Sequence, residues 1–171
     1  MRRALTLFEL IFVVVVLGLM FSIFTVKTLS SSKRTGFFST LNSDVSSLIE
    51  TVNEWKSNSP LYKGSFLNLK NASYLKDYLP PNMKIEEDNG IYYVDSSGFG
   101  KDVKYAIEGN SPNSVEIDVY YKDEIENPNT RKKYAKEIVN VFKRISQDKD
   151  SVTYDLSESK EGIVKVKNVI P

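Results

Sequence analysis

The 171-residue sequence contains no cysteine and no histidine. Without cysteine, the chain forms no disulfide and offers no thiolate nucleophile. Without histidine, it lacks the side chain that most often carries protons near neutral pH. Any bound metal would therefore be a hard cation held by oxygen atoms, such as calcium or magnesium. A glycine-rich phosphate-binding loop is also missing from the sequence, so we expect a protein that is not an enzyme.

Neither sign of charge dominates, with 23 Lys and Arg residues against 22 Asp and Glu residues. Such a balance argues against a general attraction to nucleic acid or acidic lipid, although it leaves room for a local basic patch. Aromatic residues make up 12% of the chain and supply material for a hydrophobic core. The length fits one domain of ordinary size together with an N-terminal anchor.

One long apolar run, residues 5–26, lies near the N-terminus. It reaches the roughly 20 residues that a helix needs to cross a bilayer. Arg2 and Arg3 precede the run and Lys27 closes it. Because positive residues tend to stay on the cytoplasmic side, the two arginines place the N-terminus in the cytoplasm. The sequence therefore predicts a transmembrane helix at residues 5–26.

Glu9 is the only charged residue inside this apolar run. An ionised side chain in a membrane span costs roughly 2.5–3.5 kcal/mol near the bilayer centre and needs a partner. The nearest candidate is the free amine that a cut just before Leu5 would create. Glu9 is therefore a candidate functional residue and not simply a part of the span.

The residues around Glu9 resemble the processing site of type IV prepilins and of the pseudopilins of type II secretion. The segment that carries the resemblance is Ala4-Leu5-Thr6-Leu7-Phe8-Glu9-Leu10-Ile11. The resemblance implies that a prepilin peptidase removes residues 1–4 by cutting between Ala4 and Leu5. It also implies that Leu5 becomes N-methylated and that Glu9 faces the N-terminus of a neighbouring subunit during assembly. Ala4 stands where the family usually has glycine.

The resemblance implies a pseudopilin or minor pilin that is assembled into a filament of a type II secretion or type IV pilus-like machine. Its expected partners are other pilins or pseudopilins, the prepilin peptidase and an inner-membrane assembly platform. Its expected location is the bacterial inner membrane, as a single-pass protein with a cytoplasmic N-terminus and a periplasmic C-terminal domain. The alternatives are a DNA-uptake pseudopilin with a DNA-contacting basic helix, or a plain membrane-anchored periplasmic protein.

Beyond the apolar run, apolar residues from Phe38 to Trp55 recur at spacings of about three and four, which is typical of an amphipathic helix. We expect this helix at residues 27–57 and a periplasmic α+β domain at residues 58–171. Within that domain, β-rich runs occupy residues 91–95, 103–107, 115–121, 152–156 and 163–169. A second helix is expected between the third and fourth runs, from Asn129 or Thr130 to about Gln147.

Together with the resemblance, these elements predict an α+β, pilin-like fold. Its long N-terminal helix would be transmembrane in the first half and amphipathic in the second half. The helix would pack on a small antiparallel sheet with one inserted helix.

Two clusters of charge suggest binding sites in this domain. Four acidic residues could supply oxygen ligands for calcium, although their spacing matches no calcium motif and charged turns are usually solvated. The second helix is basic and could follow a phosphate backbone, although a solvated helix face is the favoured explanation. The candidate calcium ligands are Glu86, Glu87, Asp88 and Asp95, and the candidate DNA contacts are Arg131, Lys132, Lys133 and Lys136. Apart from calcium, no cofactor is expected.

Overall fold

The computed structural model describes residues 7–58, 74–111, 114–121 and 127–171, and their side chains except those of 7–10, 21–31 and 110–111. Helix α1 covers Leu7–Asn58. The chain divides into two units, Met1–Phe37 and Phe38–Pro171. Each unit is described by itself.

In the first unit, the expected transmembrane half of the long helix is not seen, so the predicted fold class is wrong in this respect. Within the described residues, no helix is long and apolar enough to cross a membrane. The described apolar side chains at residues 11–20 of α1 are exposed.

In the second unit, the remainder of α1 buries one face. Its apolar stripe consists of residues that are at most 5% exposed, namely Leu41, Val45, Leu48, Val52 and Trp55. Spacings of three and four residues place these side chains on one side of a helix with 3.6 residues per turn. The polar residues between them, such as Ser46 and Glu50, are exposed.

Within the described residues, six strands form one antiparallel sheet in the order β1-β2-β3-β4-β6-β5. The strands are β1 (Ile85–Asp88), β2 (Ile91–Ser96), β3 (Gly100–Ser111), β4 (Ser114–Tyr120), β5 (Thr153–Asp155) and β6 (Ile163–Val169). The runs at 91–95, 103–107, 115–121 and 163–169 thus fall on β2, β3, β4 and β6. The run at 152–156 holds the shorter β5.

Strand β1 was not predicted, because its sequence Ile-Glu-Glu-Asp looks like a solvated acidic segment. It lies at the edge of the sheet and pairs with β2. Charged residues are common on edge strands, where they discourage pairing with other chains. Asn89 and Gly90 close the hairpin with positive φ angles of 53° and 79°, as two-residue hairpin turns require.

Helix α2 (Pro128–Ile145) lies between β4 and β5 in the chain. Asn127 caps it, since its side-chain oxygen accepts hydrogen bonds from the backbone N–H groups of Asn129 and Thr130. Pro128 fits the first turn, where its missing N–H costs nothing. A short 3₁₀ helix, Ser159–Glu161, precedes β6.

The sheet has two faces of different character. Side chains alternate along a strand, so Val94, Tyr105 and Val119 share one face, and the register joins Val94 to Tyr105 and Tyr105 to Val119. We call this the helix face, because the Tyr105 hydroxyl donates a hydrogen bond to Asp44 of α1 there. Phe38 of α1 and Tyr134 of α2 have ring centroids 5.1 Å apart, so the two helices are in contact at these residues.

The opposite face of the sheet, called the far face, carries alternating polar and aromatic residues. Its members in the central strands are Tyr93, Asp95, Lys104, Ala106, Asp118, Tyr120 and Lys165. The rings of Tyr93 and Tyr120 meet edge to face at 5.3 Å, and the Lys104 ammonium lies 5.5 Å from the centre of the Tyr93 ring.

Candidate functional site

The residues of the predicted processing site lie at the edge of what the structure describes. Ala4 and Leu5 lie outside the described residues. Glu9 lies in α1, but its side chain is outside the described part. The predicted cleavage, methylation and assembly roles of these three residues therefore stay predictions.

A buried carboxylate joins α1 to the sheet. Asp44 is 1% exposed, and its Oδ2 accepts hydrogen bonds from Ser96 Oγ at 2.5 Å and Tyr105 Oη at 2.8 Å. Its Oδ1 accepts hydrogen bonds from the backbone N–H of Ser97, at 3.3 Å, and from Ser97 Oγ. Burying a carboxylate is costly unless such donors surround it. The cluster therefore acts as a polar clamp between helix and sheet.

The Tyr105 hydroxyl is suited to donating in this clamp. Burial, reinforced by the charge of Asp44, raises the pKa of Tyr105 well above its usual value. The phenol therefore keeps its proton at any physiological pH and donates it to the carboxylate. A hydrogen bond to a charged acceptor is stronger than one between neutral groups.

The turn between β2 and β3 is shaped to fit this clamp. Ser96 Oγ also accepts hydrogen bonds from the backbone N–H groups of Gly98 and Phe99, each at 3.3 Å. A Cβ atom added to Gly98 would lie 2.8 Å from Thr40 Cγ2 on α1. A side chain at residue 98 would therefore force the Thr40 side chain to shift, because the turn approaches the helix closely there.

The clamp was missed in the sequence, although one signal was present. Asp44 falls on the apolar stripe of α1, directly before Val45 and three residues after Leu41. A lone carboxylate at such a position needs buried donors. The sequence does not show which donors the fold would bring to it.

The four predicted calcium ligands do not converge. Glu86 forms an ion pair with Lys101 at 2.6 Å, and the hydrogen bond from Lys101 lowers the pKa of Glu86. Because side chains alternate along β1, Glu87 points to the face opposite Glu86, beside Tyr92. Asp88 accepts a hydrogen bond from Asn89 Nδ2 at 2.9 Å. The described residues hold no group of three or more metal-ligating side chains, and calcium binding stays untested.

Asp95 and another carboxylate, Asp118, occupy the far face with incomplete hydrogen bonding. Asp95 is 6% exposed, and its Oδ1 and the Oδ1 of Asp118 are both buried without a hydrogen-bond partner in the part of the chain that the structure describes. Burial raises the pKa of Asp95. Burial, followed by the charge of Glu116, raises the pKa of Asp118 to about 7.

The four predicted DNA contacts divide into two kinds. Arg131 is buried, and its Nη1 donates a hydrogen bond to the carbonyl oxygen of Lys160 at 3.2 Å. It thereby joins the first turn of α2 to the 3₁₀ helix. The side chains of Lys132, Lys133 and Lys136 are exposed. Among the predicted four, only these lysines are accessible to a phosphate backbone.

Comparison with known proteins adds no relative to this picture. No protein-family model, curated protein or solved structure matches the chain.

Proposed function

We propose that the chain is a pseudopilin or minor pilin, a subunit of a filament of the type II secretion or type IV pilus kind. Its precursor is cut between Ala4 and Leu5 by a prepilin peptidase at the bacterial inner membrane, and Leu5 is then methylated. The sheet domain lies in the periplasm. The single observation that carries the proposal is Glu9, the only charge in residues 5–26, at the fifth position after the cut.

The physical role of Glu9 is to pair with an amine. Within one rigid helix, the Leu5 amine and the Glu9 carboxylate lie about one turn apart and meet poorly. A neighbouring subunit shifted along the filament presents its own Leu5 amine to this Glu9. Each such contact neutralises two charges in an apolar surrounding and thereby sets the axial register.

The clamp between α1 and the sheet supports the same proposal. Filament subunits meet through their helices, so the domain attached to each helix must be held firmly in place. Asp44 and the buried stripe from Leu41 to Trp55 provide this attachment.

The test is the variant Glu9→Gln, with Glu50→Gln as its control on an exposed position of the same helix. Because glutamine keeps the size but not the charge, Glu9→Gln should accumulate normally and be processed. It should yield no cross-linked filament ladder, whereas Glu50→Gln should yield the normal ladder. A normal ladder and normal transport from Glu9→Gln would show that the proposed assembly role is wrong.

Intact-mass measurement tests the processing step separately. The expected mature chain begins at Leu5 and carries one added methyl group on its amine. An uncut chain that begins at Met1 would contradict the proposal even if filaments formed.

A further inference from the structure

A groove between α2 and β5 combines positive charge with an exposed aromatic ring. Its volume is about 250 Å³, and it is lined by Lys136, Val139, Asn140, Lys143 and Tyr154. Tyr154 is 51% exposed. The Lys143 ammonium lies 5.5 Å from the centre of its ring. The groove lining therefore carries two cations, an amide and a ring, and it includes no carboxylate.

The groove continues a basic stripe along α2. Lys133, Lys136, Asn140 and Lys143 follow one another at spacings of three and four, which places them on one side of the helix. Lys133, Lys136 and Asn140 are exposed, and Lys143 is half-exposed. In the sequence the basic residues look divided between the two ends of the helix. On the helix these residues lie along one side, and Tyr154 of β5 lines the same groove.

We propose that this groove binds single-stranded nucleic acid, with backbone phosphates on Lys136 and Lys143 and one base stacked on Tyr154. Lysines that line a groove neutralise the phosphates of a strand. An aromatic ring beside them supplies a stacking platform that accepts any base. The amide of Asn140 supplies both a donor and an acceptor for the edge of the stacked base.

The ring favours nucleic acid over an acidic protein as the occupant. An acidic peptide would use the two ammonium groups but would gain little from an exposed ring held against a cation. An unpaired base uses all three groups at once. The chain as a whole has a formal net charge of only +1, so general attraction to a polyanion is weak and binding depends on the groove. The site does not depend on filament assembly.

A second groove provides a matched control. It has a volume of about 330 Å³ and also carries two lysines, Lys76 and Lys84, both exposed. Its other lining residues are Leu79, Pro80, Pro81, Met83 and Ile85, so it has two cations and no aromatic ring. Removal of its lysines changes the net charge by the same amount as removal of Lys136 and Lys143.

The experiment measures binding of fluorescein-labelled oligothymidylate to the purified full-length chain by fluorescence anisotropy over a series of salt concentrations. The double variant Lys136→Ala with Lys143→Ala should weaken binding at least about tenfold. It should also reduce the magnitude of the salt slope, which is the slope of log K against log salt concentration, by about 1.4, which corresponds to two phosphate contacts on a single strand. Tyr154→Ala should weaken binding about tenfold and leave the salt slope unchanged, because stacking releases no counterions. Lys76→Ala with Lys84→Ala should change neither quantity.

Four results would each overturn the proposal. Equal weakening by the two lysine pairs would show general electrostatic attraction. Binding unaffected by Tyr154→Ala, or displaced equally well by polyglutamate and by unlabelled oligothymidylate, would assign the groove to acidic partners. Absence of measurable binding by the folded wild-type chain would remove the site, whatever the result for Glu9→Gln.

Discussion

The two faces of the sheet surround a fully buried carboxylate, Asp44, and a half-buried one, Asp118, in opposite ways. On the helix face, Asp44 accepts hydrogen bonds from Ser96, Ser97 and Tyr105. On the far face, Asp118 leaves one buried oxygen without a hydrogen-bond partner among the described residues, and burial, followed by the charge of Glu116, raises its pKa. Burial alone therefore does not determine how a carboxylate affects the stability of the fold. The effect depends on which hydrogen-bond donors the fold places around the carboxylate.

The carboxylates on the two faces therefore affect the stability of the fold in different ways. The carboxylate on the helix face stabilises the attachment of α1 to the sheet, because its removal would leave several buried donors without an acceptor. The carboxylate on the far face makes stability depend on pH, because its charged form is disfavoured where it lies. Three measurements test this difference between the two faces.

The largest effect is expected from Asp44→Ala. The substitution leaves the hydroxyls of Ser96 and Tyr105 buried without their acceptor, so we expect a loss of about 3 kcal/mol in the free energy of unfolding. Denaturant titration of the full-length chain measures it. Asp77→Ala, at an exposed position, should change the stability by less than about 0.5 kcal/mol. Similar losses from the two variants would mean that the clamp contributes no special stability.

A smaller effect is expected from Gly98→Ala. The added methyl group would lie 2.8 Å from Thr40 Cγ2, and overpacking of this kind costs about 1–3 kcal/mol. Because the clash is with one side chain, the cost should be much smaller in a Thr40→Ala background. Gly36→Ala is the control, since an added Cβ there meets nothing within 4 Å, and it should be neutral or slightly stabilising. An unchanged cost in the Thr40→Ala background would place the strain elsewhere.

The smallest effect is expected from titration of Asp118, because the residue is only half-buried and solvent screening reduces the free energy associated with its pKa shift. Its pKa is raised to about 7 in the folded chain, above the roughly 3.9 of an unfolded chain. The folded state therefore holds the proton longer, and stability should fall as the pH rises from about 4 to about 7. Above about pH 7 this contribution should change no further. Lys165 and Lys167 oppose the shift, whereas Glu116 and Glu108 add to it.

Asp118→Asn should remove this part of the pH dependence when unfolding free energies at about pH 5 and about pH 7.5 are compared. Asp155→Asn is the opposite control, because a hydrogen bond from the Ser157 N–H lowers the pKa of Asp155. Asp155 should therefore contribute stability that is lost as the pH falls. If Asp118→Asn kept the full wild-type pH dependence, the far face would not be its source.

Much of the second unit was predictable from local patterns. The buried stripe of α1, the boundaries of α2 and most strands follow from periodicity, capping residues and turn residues, which act over a few neighbouring positions. The edge strand β1 was not predicted, because its residues are charged and its strand conformation depends on pairing with β2. The expected transmembrane half of α1 was wrong, since no helix within the described residues is long and apolar enough to cross a membrane.

The candidate sites were less predictable, because each depends on residues far apart in the chain. The processing motif around Glu9, the amphipathic stripe and the positive charge of α2 can be read from the amino-acid sequence, since these are properties of consecutive residues. The contacts of Asp44 with the turn at Ser96, of Lys101 with Glu86 and of Tyr154 with the lysines of α2 become visible in the folded chain alone. Strand register and helix packing bring these groups together, and neither can be calculated from local propensity.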